Sequence, residues 1–407
     1  MTDFTKHFRM NEQDAIAYAR QKLDLFAPDE ELVCNEIGDG NINYVFRVQD
    51  ASGQRSVIIK HADVHIRTSK GAISVDRNRI EAEVLQRQGE LAPGLVPQVF
   101  LYDPVMCCLV MEDLRDYDNM RYALIDHKTF STFAQDITTF LAQTLLRTSD
   151  AVLPPKEKKE LVKSYINPSL CDISERLVYT EPYTNLSGRN VLFEPNSAFL
   201  TQQLYEDEAL RLEAAKLKNQ FESKAQALIH GDLHTGSIFV REGSTMVLDP
   251  EFAFFGPIGY DVGNVVANLL FAWANASVTI GDAAERQAFL QWLEASITQV
   301  IDLFKEKAMH ILETKVQDAL FQTPGYALWY LEDILSDTAG VAGLELNRRI
   351  IGTAKVKDIT GIQDPEKRAW AERVCVLAAK EFIFGRYDRF KQGGDYIQAI
   401  HRAAAQA

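Results

Sequence analysis

HGDLHTGSIFVREGSTMVLDPEF, residues 230–252, brackets one short predicted hairpin between an aspartate and an Asp-Pro-Glu step. The apolar run ALI at 227–229 reads as a strand leading into it, and SIFVREGSTMVLD at 237–249 reads as the hairpin. Asp232 then falls in a tight polar turn between strands. A carboxylate held rigidly there can take a proton from a hydroxyl. Taken alone, it also reads as a turn former that bonds its own backbone. His230 reads as a brace of the loop, and His234 is open to either role. Asp249 and Glu251 flank Pro250 just after the second strand. Two hard oxygen donors that close together suit Mg²⁺, and two solvated acids in a proline turn are the other reading. Asp249 follows Asp232 by 17 positions, room for one hairpin, which would set base and metal ligands on the same side of a cleft. Asp261 in GYDVGN opens the next helix as an N-cap or as a brace for the loop.

Upstream the chain is β-rich. ELVCNEIG, YVFRVQD, SVIIKHAD, QVFLYD and CCLVMED are short runs of Val, Ile, Phe, Leu and Tyr separated by Gly, Pro, Asp and Asn turns. Helices are expected over 12–26 and 75–89, where apolar residues keep helical spacing. The turn GDGN at 38–41 can lay backbone N–H groups over phosphates, and it can equally be a plain hairpin turn. Lys60 ends the SVIIK strand and suits a cation reaching phosphates, or a solvated strand end. Glu81 and Glu83 in the following helix could hold it, and Glu81 is the favoured partner. Backbone groups around Met111, Glu112 and Asp113 sit where an adenine edge could be read, or where a plain linker would run.

Beyond residue 114 long helical patterns dominate, over 127–147, 203–227, 260–275, 283–314, 326–350 and 365–390. The charged PKEKKE at 155–160 reads as a solvated surface element. The expected organisation is an α+β chain with a sheet-based lobe at 1–113 and a larger, mainly helical lobe at 114–407. Late in the chain Arg348 and Arg349 stand side by side. They could clamp an anionic group, or be exposed arginines near a helix end.

Composition bounds the rest. The 407 residues are 46% hydrophobic and 25% charged, with a net charge of −14. No dense Lys/Arg run supplies the basic footprint that nucleic-acid binding needs. No apolar stretch reaches the length of a membrane span. The five cysteines carry no CxxC spacing, so neither a disulfide framework nor a structural zinc is expected, and a reducing cytoplasm is the simplest setting.

The order Gly-rich hairpin, strand Lys, helix Glu, hinge, HGD loop and Asp after a hairpin resembles the two-lobed protein-kinase-like fold, in its small-molecule branch of aminoglycoside and choline kinases. HGDLHTGSI, DPEFAFFGPIGYDVG, GDGNINYVF and the Arg348–Arg349 pair resemble, within that branch, the family of 5-methylthioribose kinases. The resemblance covers nearly the whole chain. It implies ATP and Mg²⁺, a 5-methylthioribose substrate phosphorylated on its 1-hydroxyl, and a homodimer. It implies that Asn41 and Lys60 contact ATP, that Glu81 supports Lys60, and that Met111, Glu112 and Asp113 read the adenine. Asp249, Pro250 and Glu251 then belong to the nucleotide site, with Asp249 and Glu251 on the metal. Asp232 is the general base and binds the sugar, and Arg348 and Arg349 contact the sugar side. Where many relatives have an asparagine metal ligand, this chain has Ser237, so Glu251 is expected to supply the missing donor. The competing expectations are a kinase for choline, homoserine or an aminoglycoside, or a catalytically silent nucleotide-binding regulator.

Overall fold

The computed structural model describes residues 3–27, 29–37, 43–63 and 74–407. The chain divides into two compact units. One comprises Met1–Asp116 with Val247–Phe252, and the other Tyr117–Met246 with Ala253–Ala407.

The first unit is built on five antiparallel strands: β1 (Leu32–Glu36), β2 (Tyr44–Asp50), β3 (Ser56–His61), β4 (Val99–Asp103) and β5 (Cys108–Glu112). Their order is β1-β2-β3-β5-β4. β3 is central, and every residue after Ser56 in it is buried. Alternation along it divides the labour. Val57 and Ile59 join a core with Tyr18 and Ala19 of the Glu12–Lys22 helix, Phe46, Val48 and Val110. Lys60 therefore points to the opposite face, where its partner lies on the Asp76–Leu91 helix. Asn11 caps the first helix in a reciprocal box with Asp14.

The second unit is mainly helical. Its strands are short: β6 (Asp118–Asn119), β7 (Ala227–Ile229), β8 (Ile238–Arg241), β9 (Ser244–Val247) and β10 (Phe254–Gly256). β7 pairs with β10, and β6, β8 and β9 form a second small sheet. The Gly259–Thr279 helix is buried along most of its length and packs against the Tyr326–Ile351 helix. Gly259 and Gly263 set that crossing. A Cβ at Gly259 would come within 2.5 Å of the Thr338 nitrogen. One at Gly263 would come within 2.6 Å of the Thr338 carbonyl oxygen and 2.8 Å of the Ala342 nitrogen.

Several boundaries depart from the sequence expectation. The first helix ends at Lys22, although Phe26 beyond it stays buried. The helix expected over 127–147 is Phe133–Leu141 continued by a wide turn to Leu146, and His127 before it has a left-handed φ of 57°. The 203–227 and 365–390 patterns shrink to Glu208–Ser223 and Pro365–Gly385. PKEKKE is not wholly a solvated element. It belongs to a Pro155–Ser164 helix in which Lys158 is buried and donates to the Gln226 carbonyl at 2.7 Å. The Gly393–Gln406 helix was not expected from the pattern.

Backbone atoms cannot step aside for a methyl group. Gly263→Ala is expected to destabilise the protein by about 1–3 kcal/mol, read as a lower thermal or urea midpoint. An unchanged midpoint would mean that the helix crossing is not as tight as these distances require.

Candidate active site

Within the first unit a buried charge cluster forms around Lys60. Its Nζ donates to Glu81 Oε1 at 2.7 Å and to Asp249 Oδ1 at 2.9 Å. Glu83, the other candidate, instead receives Arg79 at 2.9 Å on the same helix. Burial works against charge on Lys60. The carboxylates of Asp249, Glu81 and Glu251 outweigh it and hold the ammonium above its ordinary range. Burial pushes the Glu81 carboxyl up, and Lys60 pulls against that rise. Breaking such a buried pair costs more than forming it gains, so the arrangement fixes the Lys60 head in place.

Asp249 has φ of 65°, a left-handed backbone uncommon for any residue but glycine. Pro250–Phe252 then turn in a 3₁₀ arc that brings Glu251 back toward the Asp76–Leu91 helix. Glu251 Oε2 accepts from Asn43 Nδ2 at 3.1 Å and lies 3.5 Å from Arg77 Nε. Arg77 is almost fully buried and donates through Nη2 to Asn43 Oδ1 at 2.8 Å. Arg77 and Asn43 escaped the sequence reading. An arginine early in a helix looks solvated, and its partner lies far along the chain. Asn41, like the whole 38–42 turn, lies outside the described residues.

The segment after β5 is also ordered by charge. Asp113 accepts from Arg47 at 2.8 and 3.0 Å, from Ser56 at 2.8 Å and from Arg115 at 3.0 Å. The Glu112 N–H donates to the Gln98 carbonyl at 2.8 Å, and Glu112 Oε2 accepts the Gln98 N–H at 3.1 Å. Met111 is paired in the sheet with Ile58 and Val99.

Within the second unit the HGD loop is held from below by Asp261. Its carboxylate accepts the His230 N–H at 2.7 Å and the Gly231 N–H at 3.0 Å. Gly231 has φ of 83°, so the turn needs a residue that tolerates left-handed backbone. The Asp261 side chain caps no helix end; it braces the loop from the first turn of the Gly259–Thr279 helix. Asn268 of the same helix accepts the Thr235 N–H at 3.3 Å. Ser237 is buried, and its hydroxyl donates to the Asp232 carbonyl at 3.2 Å.

This scaffold presents Asp232, whose side chain is 27% exposed. Arg348 Nη2 lies 3.4 Å and Arg349 Nη2 3.7 Å from its Oδ1, and His234 Nε2 lies 3.4 Å from its Oδ2. Both arginines spend their Nε on Glu345, Arg349 at 2.8 Å. Burial alone would raise the Asp232 carboxyl. His234, Arg349 and Arg348 more than offset it and hold it below the ordinary carboxylate range. Burial holds His234 at about 4, below its ordinary 6.5. Glu345 was missed in the sequence, although its spacing of three and four residues before the arginine pair was a readable signal.

Among the described residues, no helix is long and apolar enough to cross a membrane, and no group of three or more His, Cys, Asp and Glu is gathered to hold a metal. Residues 33–300 match the phosphotransferase enzyme family. Methylthioribose kinase of Yersinia enterocolitica serotype O:8 / biotype 1B is 38% identical over 375 residues, covering 91% of this chain and 92% of the relative. Methylthioribose kinase of Erwinia tasmaniensis is 38% identical over the same shares. That of Cronobacter sakazakii is 37% identical over 391 residues, 96% of this chain and 97% of the relative.

The neutral His234 carries a pH signature. Between pH 6.5 and about 4 the unfolded chain binds a proton that the folded chain does not, so its contribution to stability is lost on acidification across that window. His234→Gln should therefore show a shallower fall in thermal midpoint from pH 6.5 to 4 than the unsubstituted protein. Parallel curves would mean that His234 titrates normally in the fold.

Proposed function

The chain belongs to the phosphotransferase enzyme family and, within it, to the methylthioribose kinases, and we propose that it transfers the γ-phosphoryl group of ATP to the 1-hydroxyl of 5-methylthioribose. The products are ADP and 5-methylthioribose 1-phosphate, an intermediate of methionine salvage. The fold is the two-lobed, protein-kinase-like α+β class of that family. The observation that carries the reading is the pair of buried guanidiniums set against the Asp232 carboxylate. Such a site receives a neutral acceptor and a transferring anion. It opposes the cationic head of choline or an aminoglycoside.

Phosphoryl transfer through a loose transition state asks for orientation and charge neutralisation more than for a strong base. In this reading Lys60, fixed by Glu81, contacts the ATP phosphates. Asn41 also contacts ATP, and backbone groups of Met111, Glu112 and Asp113 take the adenine edge. Asp232 accepts a hydrogen bond from the anomeric hydroxyl and aligns its oxygen. The new O–P bond forms as the bond from the γ-phosphorus to the leaving ADP oxygen breaks, and the hydroxyl proton passes to Asp232. A carboxylate held below its ordinary range is a weak base, which suits a proton that leaves late. Arg348 and Arg349 supply positive charge to the transferring group.

Asp249 and Glu251 fit Mg²⁺. The ion takes oxygen donors and is commonly held by one or two carboxylates, with substrate phosphates and water completing its shell. Bound there, Mg²⁺ would neutralise phosphate charge. Ser237 spends its hydroxyl inside its own loop, so Glu251 is the donor assigned in its stead, with Arg77 and Asn43 fixing its orientation. The reading extends to a homodimer in the cytoplasm, consistent with five unpaired cysteines.

Purified protein with Mg-ATP should release ADP with 5-methylthioribose and not with ribose, choline or homoserine. Turnover with choline or homoserine instead would overturn the substrate assignment. Asp232→Ala should lower kcat by about 10³-fold or more while largely sparing ATP binding. Retained activity would remove Asp232 from the role of base. Glu251→Gln should raise the Mg²⁺ concentration needed for half-maximal rate and lower the rate at saturation. Normal Mg²⁺ dependence and rate would exclude Glu251 from the metal.

A further inference from the structure

A third arginine stands beside the acceptor loop. Arg121 lies in the short Met120–Ile125 helix, which is capped by Asn119. Asn119 Oδ1 accepts the Arg121 N–H at 3.1 Å, and Asn119 Nδ2 donates to the Gly236 carbonyl at 2.8 Å. The arginine stem is thereby tied to the loop that carries Asp232. Its guanidinium lies against that loop as well. A Cβ on Gly236 would fall 3.2 Å from Arg121 Nη1 and 2.8 Å from His234 Cε1. Only glycine leaves the imidazole and the guanidinium room at that position, and the same imidazole is the one 3.4 Å from Asp232.

The hydrogen bonding of Arg121 differs from that of its neighbours. Arg348 and Arg349 are committed to Glu345 and Asp232. Among the described residues, the Arg121 guanidinium makes no hydrogen bond. Nε and Nη2 are buried without an acceptor, and the nearest carboxylate oxygen, Asp358 Oδ2, lies 3.9 Å from Nε. Nη1 is the guanidinium nitrogen not shut off, and it is the one against Gly236 and His234. Burial and the nearby Arg349 both disfavour its charge. Nη1 thus keeps its N–H groups open to an incoming acceptor oxygen, and a hydrogen bond from a charged guanidinium is stronger than one from a neutral donor.

The geometry points to Arg121 as a further substrate-binding residue, donating from Nη1 to a ring hydroxyl oxygen of the sugar acceptor and so setting specificity for a polyhydroxylated substrate. This rests on the acceptor reading above and deepens it. Arg348 and Arg349 stabilise Asp232 and the transferring charge, whereas Arg121 has N–H groups left for the sugar itself.

The test is steady-state kinetics of Arg121→Gln and Arg121→Lys, with 5-methylthioribose and with its monodeoxy analogues. Arg121→Gln should raise the KM for 5-methylthioribose about tenfold or more, the loss of one hydrogen bond to a charged group. The KM for ATP and the thermal midpoint should change little. Arg121→Lys should restore part of the loss, because it returns the charge without the planar fork. One monodeoxy analogue should bind the native and Gln forms alike, which identifies the hydroxyl. If an active wild-type protein is paired with an Arg121→Gln form whose acceptor KM lies within twofold, this inference alone is overturned. It is also overturned if both substrate KM values and the thermal midpoint worsen together, since that is the signature of a structural role. A wild-type protein inert toward 5-methylthioribose would overturn the acceptor reading, and this inference with it.

Discussion

Glu345 is buried among charges, and the arrangement around Asp232 depends on it. A lone carboxylate in that position would cost several kcal/mol. The chain answers three and four residues later with Arg348 and Arg349, on the same face of the same helix. One carboxylate against two guanidiniums leaves a single positive charge over, and Asp232 meets it. The four groups together are neutral. In the proposed reaction Asp232 takes a proton, and the set becomes positive as the sugar becomes a phosphate ester. In that reaction this set of four is balanced before transfer and attractive to the anion after it. The Gly259 and Gly263 crossing matters for the same reason. It seats the helix that carries Glu345 against the helix whose Asp261 and Asn268 hold the HGD loop.

The Lys60 cluster obeys the same electrostatic rule with opposite sign. Lys60 is desolvated at the centre of a sheet and is kept charged by Glu81 and Asp249. Glu251, two residues after Asp249, is in turn steered by Arg77 and Asn43. Fixed charges of this kind need little reorganisation when the reaction begins. The left-handed backbone at Asp249 fits the same pattern, since strained conformations persist where surrounding contacts over-determine them.

Much of this was legible in the sequence, for identifiable reasons. The strands of the first unit are short, rich in β-branched residues and bounded by turn formers, so β1 to β5 fall where the pattern put them. Glu81 is separated from Glu83 by helix rotation, since only one of them shares the inward face with Ile80 and Leu85. The residues that escaped share a different property. Arg77, Arg121 and Glu345 are charged residues in helices, where charge by itself suggests solvent. Arg77 meets Glu251 174 positions further along the chain, which no local pattern reports, whereas Glu345 stands three and four residues before its partners, a spacing the sequence does carry. In the Pro155–Ser164 helix an otherwise exposed lysine-rich run likewise concealed the one buried residue, Lys158.

The central claim is that Asp232 and its two arginines direct phosphoryl transfer to the anomeric oxygen of a neutral sugar. It is tested most directly by phosphorus NMR of the product formed from ATP and 5-methylthioribose. The account predicts one new phosphate ester, with its phosphorus coupled to the anomeric proton, formed by the wild-type protein and missing with Asp232→Asn. Phosphate on another hydroxyl, or free phosphate released beside ADP with the sugar unchanged, would contradict it.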